Sequence, residues 1–579
     1  MGSSSGPSSH PDSVPRPAYS LTLSSGVVFA TSLSVQLLGL IGSIFLAKHI
    51  GISPTGQALI GTAQLFLLIG SSVNGVADLR LGSAYTYFLA RGKPATDNTS
   101  TYLAVRLTTM SVAGAILFLV LPLVVPGATF TGNLASFGIF LLLPLFWSFS
   151  TIYNSMFIGL GNSLRAQLPS LIESLARLPL LIYATYYLQT VEGITIAYAV
   201  GAAAGAAFAI PAILPKLRQV RWLELATLYR FAWPLMASLL LNYMVTNVVP
   251  LIIAGALGNQ QLSIFLAANG WRILVLSFPG AVTTPLFPYI AGLFKRRELE
   301  PVRQATWQAL RYSAMILVPG VVALVTYRYN FLNVFQNGLY AGPGSIPLAI
   351  LVVSALPLAL SQIIQSTINA IGRQRLELYI TSTQVVVLFG LVALLMPPFG
   401  VLHLFPVGDG LVVGSVVILA SSGAALFLNT YFMESLIQVH IHPRPIAAIT
   451  LSAAGSFGAL WTLNHAHLFP VSAWYQLLSA VIIGFVAYVL ILAGVGELTR
   501  GDVRRIGASL GVPYRLRELF ARICWKESTP DLAPFDVSRT LALRSTELPE
   551  VFTGTREFPE IAPPPDPDPN HSSNSRPPI

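Results

Sequence analysis

The chain has 579 residues, of which 54% are hydrophobic and only 10% charged, with a mean hydropathy of +0.68. Soluble domains carry about a quarter charged residues, so this composition excludes a soluble globular protein and points to an all-α polytopic membrane protein. The formal charge of +10 is no nucleic-acid signal, because Lys and Arg fall mostly in short loops, and the single cysteine, Cys524, excludes a disulfide framework or a cysteine metal site.

Residues 1–18 (MGSSSGPSSHPDSVPRPA) are Ser/Pro-rich and read as a disordered tail. The apolar run from Leu21 to Lys48 is too long for a signal-peptide core and has no small-residue cleavage site, so it reads as a first spanning helix. Apolar runs bounded by turns or charges predict about fourteen transmembrane helices. They lie at 21–48, 57–79, 101–125, 134–160, 166–190, 194–214, 229–256, 263–293, 303–327, 345–371, 376–398, 410–433, 444–466 and 472–494. They divide into a six-helix lobe over 19–222, a second over 223–436 and two extra C-terminal helices within 437–496. In the basic segment 497–527, Arg504, Arg505, Arg515, Arg517 and Arg522 alternate with apolar residues. That pattern suits a helix lying on an anionic inner leaflet, and a solvated helix explains it almost as well. Residues 528–579 form a Pro-rich tail that reads as disordered.

Loop charges test the count. With the N-terminus inside, Arg91, Lys93, Arg165, Lys216, Arg218, Arg221, Lys295, Arg296, Arg297, Arg373, Arg375 and Arg444 all fall on the cytoplasmic side, and the opposite loops keep little beyond Lys48 and Arg328. This is the positive-inside asymmetry, and it predicts a multi-pass cell-membrane protein with both termini cytoplasmic. The sequons at Asn98 and Asn570 are then out of reach of glycosylation.

An internal repeat gives the same map. The turn AKHIGISPTG aligns Ala47 and Gly51 with Ala254 and Gly258 of AGALGNQQLS. SMFIGLG aligns Ser155 and Gly161 with Ser366 and Gly372 of STINAIG. The two offsets nearly agree and equal a shift of six helices, which predicts two parallel repeats.

The stretch from Leu241 to Lys295 concentrates the functional candidates. Arg272 lies about two turns inside an apolar span, with no acidic neighbour within a turn. A charge so placed is costly against lipid and should face protein or a watery cavity. Pro279, Pro285 and Pro288 follow and predict a bend. Asn242 and Asn247 share the preceding span with little else polar and rank above Gln36, Gln64, Asn74, Asn154, Gln362, Gln365 and Asn369, although helix-to-helix hydrogen bonding is the commoner use of such groups. Arg177 lies four residues after Glu173, the spacing of an ion pair on one helix face. Asp78 and Arg80 read as an interfacial pair, and Arg106 and Arg311 as side chains that snorkel. A guanidinium's planar fork suits phosphate oxygens, so the pattern predicts a cationic cavity for a phosphate or pyrophosphate group.

Other chemistry finds no support. His440 and His442 lie about 35 Å along a helix from His465 and His467, so the four cannot share one metal. No phosphate-binding G-x-x-x-x-G-K-[ST] loop is present, and Gly338–Ser345 (GLYAGPGS) reads as a turn-rich connection. The short loops leave no room for a catalytic domain, and no enzyme or cofactor is predicted.

The segments AKHIGISPTGQ, YRFAWPLMASLLLNYM, FPGAVTTPLFPYIAGLF and NAIGRQR together resemble the polysaccharide flippases of the multidrug, oligosaccharidyl-lipid and polysaccharide (MOP) exporter superfamily. In that family the first turn reads as a basic residue, Leu-Gly and a later Gly; Lys48, Ile50-Gly51 and Gly56 fill those places. GELTRGDVRRI resembles the segment after the fourteenth helix in archaeal and bacterial members, and the resemblance covers about residues 20–510. It implies alternating-access export of a polyprenyl- or dolichyl-(pyro)phosphate-linked oligosaccharide to the outer leaflet, for polysaccharide or glycoprotein biosynthesis. The partners implied are this lipid-linked anionic glycan, membrane lipids and glycan-assembly enzymes. Arg272 and Arg177 would attract the head group, and sugars would pass along Asn242 and Asn247. The chain departs from the pattern near Asn247, where the family often has an acidic residue. The lipid II branch has its arginine closer to the Phe-Pro pair than Arg272 is to Phe278-Pro279, so that branch's arginine and substrate are not transferred. The alternatives are a cation-coupled multidrug antiporter of the same fold and a polytopic glycosyltransferase or ligase.

Overall fold

The computed structural model describes residues 21–90, 95–124, 134–160, 162–217, 222–336, 338–397, 400–402, 405–439, 442–465, 473–500, 502–503 and 518. The expected tails and most of the basic segment lie outside these. Every regular element among the described residues is a helix. The first seven α-helices are α1 Leu21–His49, α2 Pro54–Asp78, α3 Leu81–Ala90, α4 Ala95–Val124, α5 Leu134–Gly159, α6 Ser163–Tyr183 and α7 Val191–Ile213. The next seven are α8 Trp222–Leu257, α9 Asn259–Lys295, α10 Leu299–Thr326, α11 Arg328–Phe335, α12 Gly338–Ala370, α13 Gln374–Leu395 and α14 Gly410–Ile437. The last two are α15 Pro443–His465 and α16 Trp474–Gly494.

Each predicted span has its long helix. Among the described residues eleven helices are long and apolar enough to cross a membrane, so the chain is a multi-pass membrane protein. The remaining long helices, α4, α6 and α9, are those that carry Arg106, the Glu173–Arg177 pair and Arg272.

Local chemistry sets the boundaries. Ser53 caps α2 by accepting a hydrogen bond from the Gly56 amide, with Pro54 at the first helical position, and Thr190 caps α7 through the Gly193 amide. Chain reversal after α2 uses left-handed backbone at Leu79 and Arg80 (φ 46° and 54°), uncommon for non-glycine residues. α6 ends in a π-turn over Ala184–Leu188, closed by Gln189 in the left-handed region. One expectation is corrected here. Gly338–Ser345 is the start of α12, not a connection: Pro343 lies in its second turn, and the buried Tyr340 and Ala341 tie the segment into the core. α9 runs helical without a break through Pro279, Pro285 and Pro288, because neighbouring helices can satisfy the freed backbone groups.

In the first part of the chain α1 packs on α6, α2 on α4 and α5, α5 on α4 and α7, and α6 on α7. Six long helices later, with the short α3 left out, α8 packs on α13, α9 on α10 and α12, α12 on α10 and α14, and α13 on α14. Contacts between the two sets run through α2 against α8 and α9, α1 against α9, and α3 and α4 against α8. α15 and α16 pair with each other and lean on α10. Arg311 of α10 does not snorkel. Its Nε donates to Glu497 Oε1 (2.7 Å), and Nη2 donates to the Glu497 carbonyl (2.5 Å) and Asp502 Oδ2 (3.2 Å). Tyr312 donates to the second Asp502 oxygen at 2.6 Å.

The α2–α9 contact is close and polar. Asn259 Nδ2 donates to Thr62 Oγ1 (2.8 Å) and Gln260 Nε2 to Gln57 Oε1 (3.0 Å). A Cβ on Gly61 would overlap the backbone oxygen of Asn259. Gly61→Val should therefore hold the two helices apart, at an overpacking cost of about 1–3 kcal/mol. In a chain lacking Cys524, bis-maleimide cross-linking between cysteines at Gln57 and Gln260 should fall about tenfold with Gly61→Val; an unchanged yield would show that the contact is not required.

Candidate functional site

Where α1, α2 and α9 meet, they leave a cavity of about 190 Å³, completed by Tyr198 of α7, Gln336 after α11 and Tyr340 of α12. Two facing helical stripes build it. Gln36, Gly39, Leu40, Ser43 and Ala47 recur at three- and four-residue spacing on α1, as do Ser263, Leu266, Ala267, Gly270 and Ile273 on α9. Its polar lining is neutral, consisting of Gln36, Ser43, Gln64, Tyr198, Ser263, Gln336 and Tyr340, and no carboxylate borders it among the described residues. The hydroxyls of Ser263 and Tyr340 share a hydrogen bond of 2.9 Å. The side-chain oxygens of Gln64 and Gln336 are buried without a partner.

One of the predicted arginines stands at the wall of this cavity. Arg177 faces Glu173 at 3.7 Å, the ion pair read from their spacing, and Glu173 also accepts from Trp147 Nε1 at 3.0 Å. The Arg177 guanidinium lies over the Tyr198 ring, 4.8 Å from its centre. Its Nη2 is 3.9 Å from where a Cβ on Gly39 would stand. Tyr198 and Gly39 both line the cavity, so the cation is separated from it by little more than one ring.

Arg272 is 9% exposed and does not line the cavity. At about 100° per residue it lies on the far side of α9 from Ser263, Ala267 and Gly270. Its Nη1 donates one long bond to Asn269 Oδ1 (3.3 Å), and Nε has no partner. Among the described residues it makes no ion pair. Asn247 is buried and donates to Ser72 Oγ at 3.1 Å, a bond from α8 to α2. Asn242 is exposed and turned well away from Asn247 around the helix. The structure thus does not gather Arg272, Arg177, Asn242 and Asn247 at one point.

A second charged cluster ties α2 to α4. Arg106, fully buried, forms an ion pair with Asp78 and donates from Nη2 to Asn74 Oδ1 at 2.7 Å. Tyr102 donates to the same Asp78 oxygen at 2.5 Å. Arg106 is therefore not a snorkelling side chain, and the partner of Asp78 is Arg106 instead of Arg80. Sequence spacing could not reveal the pair, because its members sit on different helices. His442 lies against the Trp307 ring and His465 stacks on Trp461. No group of metal-ligating side chains occurs among the described residues.

Comparison with known proteins places this arrangement. A family model described as "Polysaccharide biosynthesis protein" matches residues 164–338, less than half of the chain. That stretch runs from α6 to the start of α12 and includes Arg177, Arg272 and Gln336. Among solved structures, the lipid II flippase MurJ in an inward closed conformation superposes with a TM-score of 0.64 at 13% identity, covering 80% of this chain and 98% of that one. The fold is that of the MOP-superfamily transporters. An inward-facing multidrug resistance MATE family transporter of the MOP superfamily matches with a TM-score of 0.56 at 16% identity, covering 71% of this chain and 98% of its own. A MOP superfamily transporter from Pyrococcus furiosus, whose binding pocket is described as reversed in polarity, matches at 0.53 and 17%, covering 72% and 95%. No curated protein matches the sequence. The MOP fold is also similar to the family resemblance carried by the sequence segments.

Removing one partner of a buried pair strands the other, at about 3–5 kcal/mol. Asp78→Asn should therefore lower the thermal midpoint of the detergent-purified protein and its yield, and joint replacement Asp78→Leu/Arg106→Leu should recover most of the loss. A midpoint unchanged by Asp78→Asn would show that the pair contributes nothing to stability.

Proposed function

We propose that this protein is a flippase that moves a polyprenyl- or dolichyl-(pyro)phosphate-linked oligosaccharide from the cytoplasmic to the outer leaflet of the cell membrane by alternating access. Fourteen spanning helices would form two parallel six-helix lobes with two further helices, and both termini would be cytoplasmic. The matching pairings α1–α6 with α8–α13, and α5–α7 with α12–α14, support the two-lobe reading.

The observation that carries the function is the neutral, hydroxyl- and amide-lined cavity between α1, α2 and α9, with the Arg177 guanidinium close by and no carboxylate among the described residues that line it. Such a lining suits sugars, and the arginines suit the phosphate of an anionic carrier. Cationic drugs would want carboxylates, which argues against a multidrug antiporter. Short loops and the transporter fold argue against a glycosyltransferase or ligase.

In this reading Arg272 is a cation kept nearly without partners inside protein, an arrangement that costs free energy until an anion arrives. Arg177 is partly compensated by Glu173 and contributes a second, weaker attraction. Asn242, exposed on α8, offers hydrogen bonds to passing sugar, and Asn247 holds α8 against α2. The lipid tail stays in the bilayer. The substrate shifts the inward–outward balance only through its different affinity for the two states.

The test is the leaflet location of lipid-linked glycan in cells lacking the protein, read with an impermeant glycan-modifying reagent. Intact lipid-linked glycan should accumulate on the cytoplasmic side. Arg272→Ala should restore little transfer at normal expression, a loss of about 10- to 100-fold for one charge-assisted contact, and Arg177→Ala should lose less. Wild-type transfer by Arg272→Ala would remove that residue from the mechanism. Normal glycan export with sensitivity to cationic drugs would replace the flippase with an antiporter.

A further inference from the structure

α2 touches the second set of helices at two places on one face. Near its start, Gly61 lies against the Asn259 backbone at the head of α9; near its end, a Cβ on Gly75 would overlap the ring tip of Tyr243 from α8. Ser72, one turn before Gly75, accepts from Asn247, one turn after Tyr243. At about 100° and 1.5 Å per residue, Gly61, Ser72 and Gly75 fall within about 60° of one another, and the two glycines stand roughly 21 Å apart along the helix. α2 thus carries a close contact to the other set at each of its ends.

The two contacts differ in what it takes to undo them. At Gly61 the obstructing atoms are backbone, so separation requires a whole helix to move. At Gly75 they are Cζ and the hydroxyl of Tyr243, the far end of a side chain that turns about its own torsions. On its other flank, this end of α2 is fixed to its own set. Asp78 pairs with the fully buried Arg106 of α4 and accepts from Tyr102, and Asn74 accepts from the same guanidinium. The Gly75 end of α2 therefore stays with α4, and any opening there takes place on the α8 side. Tyr243 is only half-buried, and Asn242, Met244 and Thr246 beside it are exposed, so few neighbours have to give when the ring swings out.

We propose that Tyr243 is a side-chain latch between the two halves of the transporter. Its ring occupies the hollow at Gly75 while that end of α2 is closed to α8, and leaves it when that end opens; Gly61 against Asn259 closes the opposite end. The proposal rests on the alternating-access part of the flippase reading, which puts the Gly75 end at the cytoplasm. In such a two-state cycle the ends are linked in opposite senses, so weakening one contact shifts the population toward closure at the other. A contact that only packs two helices together would show no such link.

The test uses the full-length protein in lipid nanodiscs with Cys524→Ala. Two cysteine pairs replace hydrogen-bonded partners, Gln57→Cys/Gln260→Cys at one end and Ser72→Cys/Asn247→Cys at the other, and bis-maleimide cross-linking rates report each closure. Gly75→Ala puts a methyl where the Tyr243 ring tip rests. It should slow the 72–247 cross-link about tenfold, the scale of one direct side-chain contact, and speed the 57–260 cross-link. Tyr243→Ala should do the same, and Gly75→Ala/Tyr243→Ala no more than either alone, because a single contact is removed. Gly61→Val should act in reverse and speed the 72–247 cross-link. Thermal midpoints show which variants remain folded, and Tyr243→Ala carries the test if Gly75→Ala does not fold. An unchanged 72–247 rate in the folded variants, or a 57–260 rate that stays level or falls, overturns the latch. Cross-linking needs no substrate, so these outcomes leave the flippase reading to the leaflet assay.

Discussion

Close approach of α2 to α9 is the contact on which the rest depends. Gly61 gives up its side chain so that the backbone at Asn259 can lie against it, and Thr62–Asn259 and Gln57–Gln260 hold the two helices with neutral hydrogen bonds. In lipid no hydrophobic force drives two apolar helices together, so small residues and interhelical hydrogen bonds have to do so. The polar cavity lies beside this contact: Ile60 and Gln64 of α2 and Ser263 of α9 line it. Neutral bonds of this kind contribute modestly, roughly 0.5–1.5 kcal/mol each.

The charged groups divide by how well they are matched. Arg106 and Arg311 are fixed by carboxylates and carbonyls from other helices and serve to hold elements together. Arg177 has Glu173 and an aromatic face. Arg272 has one long bond to a neutral amide. Burial without compensation is not something packing would select for its own sake. The gradient from matched to unmatched therefore separates structural arginines from the candidate for ligand contact better than depth in the membrane does.

Much of the fold was legible because each long helix is an apolar run of bilayer length, bounded by charges or turn residues. Arg272 was visible as a lone charge in such a run, and the Glu173–Arg177 pair was visible because its members are four residues apart on one helix. Asp78 and Arg106 were missed as partners because their pairing depends on how α2 lies against α4. The short helix α3 was missed for want of length. Gly338–Ser345 was read as a turn from its glycines and proline, whereas packing of Tyr340 against Gly51 and Ser263 makes it helix. Gln36 and Gln64 were noted as polar groups at membrane depth. Ser263, Gln336 and Tyr340 were not, since nothing local distinguishes them from residues that face another helix.

The tie from Arg311 to Glu497 and Asp502 changes where the membrane-embedded body ends. α16 stops at Gly494, yet the next residues return two carboxylates to α10, and Thr499 and Asp502 cap one another through both backbone amides. Those few residues belong energetically to the helix bundle, although they follow its last helix. A chain shortened at the end of α16 would keep every long helix and still lose the counter-ions of a buried guanidinium. A chain ending just beyond Asp502 would keep them.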